Sequence, residues 1–152
     1  MFEIKSPNKF LRQLKTVEFI LGLGLIIIGS LLLINLYVYL YINRGFYEFT
    51  VVSTIFRIIL IITGLCKIVS FILLKKSNQR GLKLSMISLL LLASNFLYSS
   101  IFIFVVDLTR VLTGLHFMAS FSLFVLSCIV FLVSVYFFLL IFKNRENLKK
   151  NI

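Results

Sequence analysis

Polar and apolar positions in this chain separate on the scale of whole helices. Four long apolar runs, Phe19–Ile42, Phe49–Leu74, Leu82–Val106 and Leu112–Phe142, are divided by short charged stretches. A helix needs about 20 mostly apolar residues to cross a membrane, and each run supplies them. The runs are continuous rather than alternating, which excludes the strands of a membrane barrel. The pattern predicts an all-α integral membrane protein, an antiparallel four-transmembrane-helix bundle. It forms a single domain over residues 1–152, with spans at 19–42, 49–74, 82–106 and 112–142. The outer connections expected at Asn43–Glu48 and Asp107–Val111 are only a few residues long, so chain neighbours should lie antiparallel.

Within the runs, small and polar residues recur at helical spacing. Span 2 carries Thr50, Ser53, Arg57, Gly64 and Lys67, with Leu60 filling the gap. Span 3 gives Ser85, Ser88, Asn95 and Ser99 around Leu92, and span 4 gives Thr113, His116, Ser120, Ser127 and Ser134. Span 1 offers Glu18, Gly22, Leu25, Gly29 and Leu32, with Asn35 to one side. A repeat near 3.5 residues places each set on one stripe and favours a left-handed bundle. Lipid gives apolar helices no hydrophobic reason to associate, so small and hydroxyl-bearing residues supply close packing and hydrogen bonds. Asn35 and Asn95 read as interhelical hydrogen-bonding residues in this scheme.

The ends of the chain are of another kind. Ser6-Pro7 reads as a helix start, since proline is tolerated at the first helical position. Residues 1–18 are expected to form a basic amphipathic lead on the inner membrane surface. Phe10, Leu14 and Val17 make its apolar face, and Lys9, Arg12 and Lys15 its charged one. Residues 143–152 read as a solvated basic tail. No small-residue cleavage site follows the first run, which is therefore expected to be a retained anchor.

Composition agrees with the pattern. Apolar residues make up 61% of the chain and mean hydropathy is +1.10, more apolar surface than a small core hides from water. The net charge of +11 changes the picture only once it is mapped. Twelve of the sixteen cations fall in three patches: Lys5, Lys9, Arg12, Lys15; Lys75, Lys76, Arg80, Lys83; and Lys143, Arg145, Lys149, Lys150. The two outer loops, Arg44 with Glu48 and Asp107 with Arg110, sum to zero. Retention of Lys and Arg on the cytoplasmic side then places both termini and the middle turn in the cytoplasm. There the patches meet anionic headgroups of the lipid bilayer, each cation contributing about 1 kcal/mol. Nucleic acid is not an expected partner, because the basic segments are short and carry no recognition module. An excess of Lys over Arg, with abundant Ile and Asn, points to an AT-rich genome and a bacterial inner or plasma membrane.

Candidate chemistry is sparse. Cys66 and Cys128 both lie within spans and form no redox or metal spacing. His116 has no second ligand at metal-binding distance in sequence, so no metal and no cofactor is expected. No nucleophile and base share one depth, which argues against an enzyme and leaves no catalytic residue to name. The "GLGL" at Gly22–Leu25 is helix packing rather than a phosphate cradle.

Arg57 and Lys67 remain. Arg57 lies eight residues from the outer end of its run and Lys67 seven from the inner end. A charge at the centre of a span costs about 2.5–3.5 kcal/mol even on the lenient scale. A local answer is snorkelling, with Arg57 reaching Asp107 or Glu48 and Lys67 reaching Glu18. A functional answer is a membrane-protein partner whose span carries the missing acid. The protein would then be a non-enzymatic interaction, accessory or immunity-type subunit. The alternative is a small homo-oligomeric anion channel or transporter, with Arg57, Lys67, Asn95, Ser99 and Ser127 lining its interior.

Overall fold

The computed structural model describes the backbone of residues 6–43, 47–112 and 118–150, and their side chains except in 39–53, 103 and 105–123. Among the described residues every regular element is a helix: α1 (Pro7–Asn43), α2 (Tyr47–Lys75), α3 (Gln79–Leu112), α4 (Met118–Lys143) and α5 (Arg145–Lys150). The first four are long and apolar enough to cross a membrane, the architecture of a multi-pass membrane protein.

Burial runs opposite to that of a water-soluble protein. Glu18, Thr63, Lys67, Ser70, Ser85, Ser88, Asn95, Ser127 and Ser134 are buried, while Ile20, Leu31, Ile34, Ile101 and Leu132 are more than half exposed. In water this arrangement would be costly on both counts. In lipid it is the favourable one, because polar groups find partners inside and apolar groups face hydrocarbon.

Each long helix packs on its chain neighbour, α1 on α2, α2 on α3 and α3 on α4. Glycines set the first contact. A Cβ built on Gly64 would stand 2.8 Å from the Gly22 carbonyl oxygen and 3.0 Å from the Ile26 nitrogen. A Cβ on Gly29 would stand 3.3 Å from the Arg57 carbonyl. Residues 22 and 29 thus meet 64 and 57, so the two helices run antiparallel with their backbones in close approach. Gly24 has open space around it and takes no part.

The turn between α2 and α3 is fully bonded. Asn78 N–H donates to the Leu73 carbonyl at 2.9 Å and Ser77 N–H to the Leu74 carbonyl at 3.2 Å, a Schellman cap with Ser77 at φ 53°. The Asn78 side chain then accepts from Arg80 N–H at 2.9 Å and caps α3. Gly81 follows because a Cβ there would lie 2.8 Å from the Leu74 nitrogen. Its carbonyl accepts a 2.9 Å bond from Ser70 Oγ, tying the two helices together.

Three sequence expectations are revised. The basic lead is not a separate surface element: α1 is one unbroken helix of 37 residues, about 55 Å long at 1.5 Å per residue. No glycine or proline interrupts it between Pro7 and Gly22. Its buried face is Leu11, Leu14 and Glu18, continuing the line of Gly22 backwards, whereas Val17 is exposed. Leu11 and Leu14 join Leu74, Leu82, Leu89, Ile141 and Leu148 in one apolar cluster at the end where the chain's basic patches meet. The connection expected at Asp107–Val111 is helical, since α3 continues to Leu112; the first glycine after Gly81 is Gly114. The C-terminal tail is likewise not simply solvated. Asn144 closes α4 by donating its side-chain N–H to the Leu140 carbonyl at 2.9 Å, and α5 turns Leu148 into the cluster, where it is fully buried.

Candidate intramembrane charge site

The two cations of α2 lie on different lines of that helix. Leu60, Thr63, Lys67, Ser70 and Leu74 follow one buried stripe. Arg57, Ile61, Gly64 and Ile68 follow the line that contacts α1 through Gly29 and Gly22. The stripe reached by Lys67 also meets α3, because Ser70 binds Gly81 and the Phe56 carbonyl accepts a 3.2 Å bond from Asn95 Nδ2.

Lys67 therefore ends between three helices. Its Nζ lies 3.1 Å from Glu18 Oε1, with side-chain exposures of 0% and 1%. The same carboxylate oxygen accepts a 2.9 Å bond from Ser85 Oγ of α3. Ser88 Oγ donates to the Ser85 carbonyl at 2.8 Å. One acid, one cation and one hydroxyl thus hold α1, α2 and α3 in register, 49 and 67 residues apart in sequence. The second carboxylate oxygen, Oε2, is buried and has no hydrogen-bond partner among the described residues. Geometry of this kind makes a buried charge tolerable, since attraction at short range in a low dielectric offsets part of the desolvation.

Arg57 is placed differently. It is half-buried, its Nη1 is buried, and that nitrogen has no hydrogen-bond partner among the described residues. No described carboxylate lies within ion-pair distance of it. The side chains of Glu48 and Asp107, its expected acids, lie outside the described residues.

The remaining sequence candidates do not gather around either cation. Asn95 is buried and spends its amide on the Phe56 carbonyl. It also borders a cavity of about 220 Å³ with Ile55, Phe56, Ile59, Ser94 and Tyr98. Ser99 is half-buried, while the adjacent Ser100 is the buried residue and donates to the Phe96 carbonyl at 2.8 Å. Ser127 is buried on α4. No hydrogen bond or ion pair joins any two of Arg57, Lys67, Asn95, Ser99 and Ser127. Asn35 points outward and is exposed, so it does not bridge helices within this chain. Thr113, His116 and Ser120 lie outside the residues whose side chains are described.

Two participants escaped the sequence reading. Ser85 stood in it only as a packing residue, although its place on the span 3 stripe, level with Glu18 and Lys67, was the available signal. Cys128 Sγ lies 3.8 Å from Ser100 Oγ and forms a weak α3–α4 contact that no spacing motif announces. Among the described residues no group of His, Cys, Asp or Glu could hold a metal ion. Comparison with known proteins adds no relative: no family model matches the chain, and neither a curated protein nor a solved structure matches it significantly.

Proposed function

We propose that this chain is a non-enzymatic membrane subunit, an interaction, accessory or immunity-type protein, and that Arg57 is its contact to a partner span bearing an Asp or Glu. The bundle has both termini on the cytoplasmic side, as the positive-inside rule requires of its three basic patches. The supporting observation is the contrast on α2: Lys67 is neutralised within the chain, whereas among the described residues Arg57 keeps a buried nitrogen without an acceptor. An unmatched cation in a span is costly to retain unless something else matches it.

The test is purification of the tagged chain from its native membrane in mild detergent, for wild type, Arg57→Leu and Arg57→Lys. Wild type is expected to carry a second membrane protein at near-equal amount, with an acid in one of its spans. Arg57→Leu should lose it at unchanged abundance of the bait, and Arg57→Lys should retain part of it. A clean homo-oligomer that conducts anions in liposomes would overturn the reading in favour of a channel. Labelling of a cysteine placed at Glu48 from the cytoplasmic side alone would overturn the orientation.

A further inference from the structure

A groove at the basic end of the protein combines cations with an apolar floor. It has a volume of about 290 Å³ and lies between the start of α3, the end of α4 and the short α5. Leu82, Met86, Ile87, Leu90 and Phe138 form its apolar walls, and Lys83, Arg145 and Lys149 stand along it with Gln79. Lys83 is exposed and enters no ion pair among the described residues. Arg145 and Lys149 share Glu146, at 3.4 Å and 2.9 Å, and Arg145 also lies over the Phe142 ring at 5.3 Å. Three cations against one acid leave the mouth with a net charge of plus two.

We infer that this groove binds one anionic phospholipid, its phosphate held by Lys83 and Lys149 and the upper part of one acyl chain laid on Met86, Ile87 and Leu90. Charge complementarity selects the occupant. A zwitterionic headgroup brings no net charge to a mouth of plus two, and an anionic phosphodiester brings the charge it lacks. The depth agrees, because the cations sit at the helix ends while Ile87 and Leu90 are half exposed further along α3, where hydrocarbon begins. The volume is at the lower edge of ligand sites, roughly 300 Å³, too small to enclose a lipid and suited to part of one chain. α5 supplies the selectivity: Leu148, buried in the cluster, anchors the short helix whose Lys149 lines the groove together with Lys83. The proposal stands apart from the role of Arg57.

The chain contains no tryptophan, which gives a direct test. The full protein carrying Ile87→Trp is reconstituted in vesicles in which either phosphatidylglycerol or phosphatidylcholine bears brominated acyl chains, at equal mole fraction. Leu23→Trp, exposed on α1 and away from the groove, reports the bulk lipid. The expected result is stronger quenching at position 87 by the brominated anionic lipid, with a preference on the order of tenfold. Position 23 should show little preference, and Lys83→Gln with Lys149→Gln should abolish the preference at 87. Equal quenching by the two lipids at 87, the same preference at 23, or a preference that survives the double substitution would each overturn the inference.

Discussion

Lys67 and Arg57 share one helix, ten residues apart, and meet opposite circumstances. Lys67 lies on the stripe of α2 that faces both neighbours, so a carboxylate from α1 and a hydroxyl from α3 converge on it. Arg57 lies on the line that packs against α1, where a glycine, Gly29, approaches its backbone carbonyl. The chain has five acids, Glu3, Glu18, Glu48, Asp107 and Glu146, and only Glu18 stands on the packed face of a span among the described residues. Among the described residues the two cations differ in their position around the helix, and only Lys67 meets an acid. On the proposed reading, Arg57 meets its acid on a partner span.

The largest expected effect breaks the matched side. Lys67→Leu strands Glu18 and should cost about 3–5 kcal/mol, as should Glu18→Leu, whereas the double Leu variant should recover most of the loss. Unfolding in detergent titrated with a denaturing surfactant measures all three. A double variant as unstable as either single one would mean that the pair does not act as a unit. Arg57→Leu, by contrast, should leave stability unchanged or raise it, since it removes a half-buried charge that has no acid among the described residues.

Packing gives a smaller effect. Gly64→Ala forces a Cβ against the Gly22 carbonyl and should cost about 1–3 kcal/mol. Because it parts α1 from α2, it should also weaken the coupling measured between Lys67 and Glu18. Gly24→Ala, with open space around it, should stay within about 0.5 kcal/mol of wild type. Ser77→Gly relieves a left-handed residue in the α2–α3 turn and should raise stability by about 1 kcal/mol.

The smallest effect comes from the exposed counterpart of the buried pair. Hydrogen bonding from Lys149, with its charge, holds the Glu146 carboxyl below the ordinary carboxylate range. A carboxyl lowered in the folded state contributes stability above its unfolded pKa, and that contribution is lost as pH falls through the folded value. Acidification should therefore loosen α5 slightly, seen as faster proteolysis of the tail, and Glu146→Gln should remove the pH dependence. The contrast with Glu18 separates an ion pair in water from one in the protein interior.

Much of this was legible in the sequence. The four runs are four helices, Ser6-Pro7 starts the first, and the stripe Ser85, Ser88, Leu92, Asn95 is the buried face of α3. These follow from periodicity and length, which act locally. What the sequence hid depends on which line faces which neighbour. The sequence offers Glu18 as the acid for Lys67, and the structure pairs them at 3.1 Å, but the unbroken course of α1 through Glu18 and the burial of Leu148 by α5 are not legible in it. Asp107 looks like a loop residue because charge suggests a boundary, yet no breaker stands before Gly114 and the helix continues. Ser99 and Ser100 differ by one position, and only the packing of α3 on α4 decides which is inside.

The most direct test of the central contrast is photocrosslinking in the native membrane, with a photoreactive residue in place of Ile58 beside Arg57 or Leu65 beside Lys67. Both positions are exposed on the surface of α2, at 43% and 52%. The expected result is a single adduct of defined mass from position 58, absent from position 65 and lost when Arg57→Leu is added. An adduct of equal strength from both positions, or one from position 58 that persists without the arginine, would contradict a partner matched through Arg57.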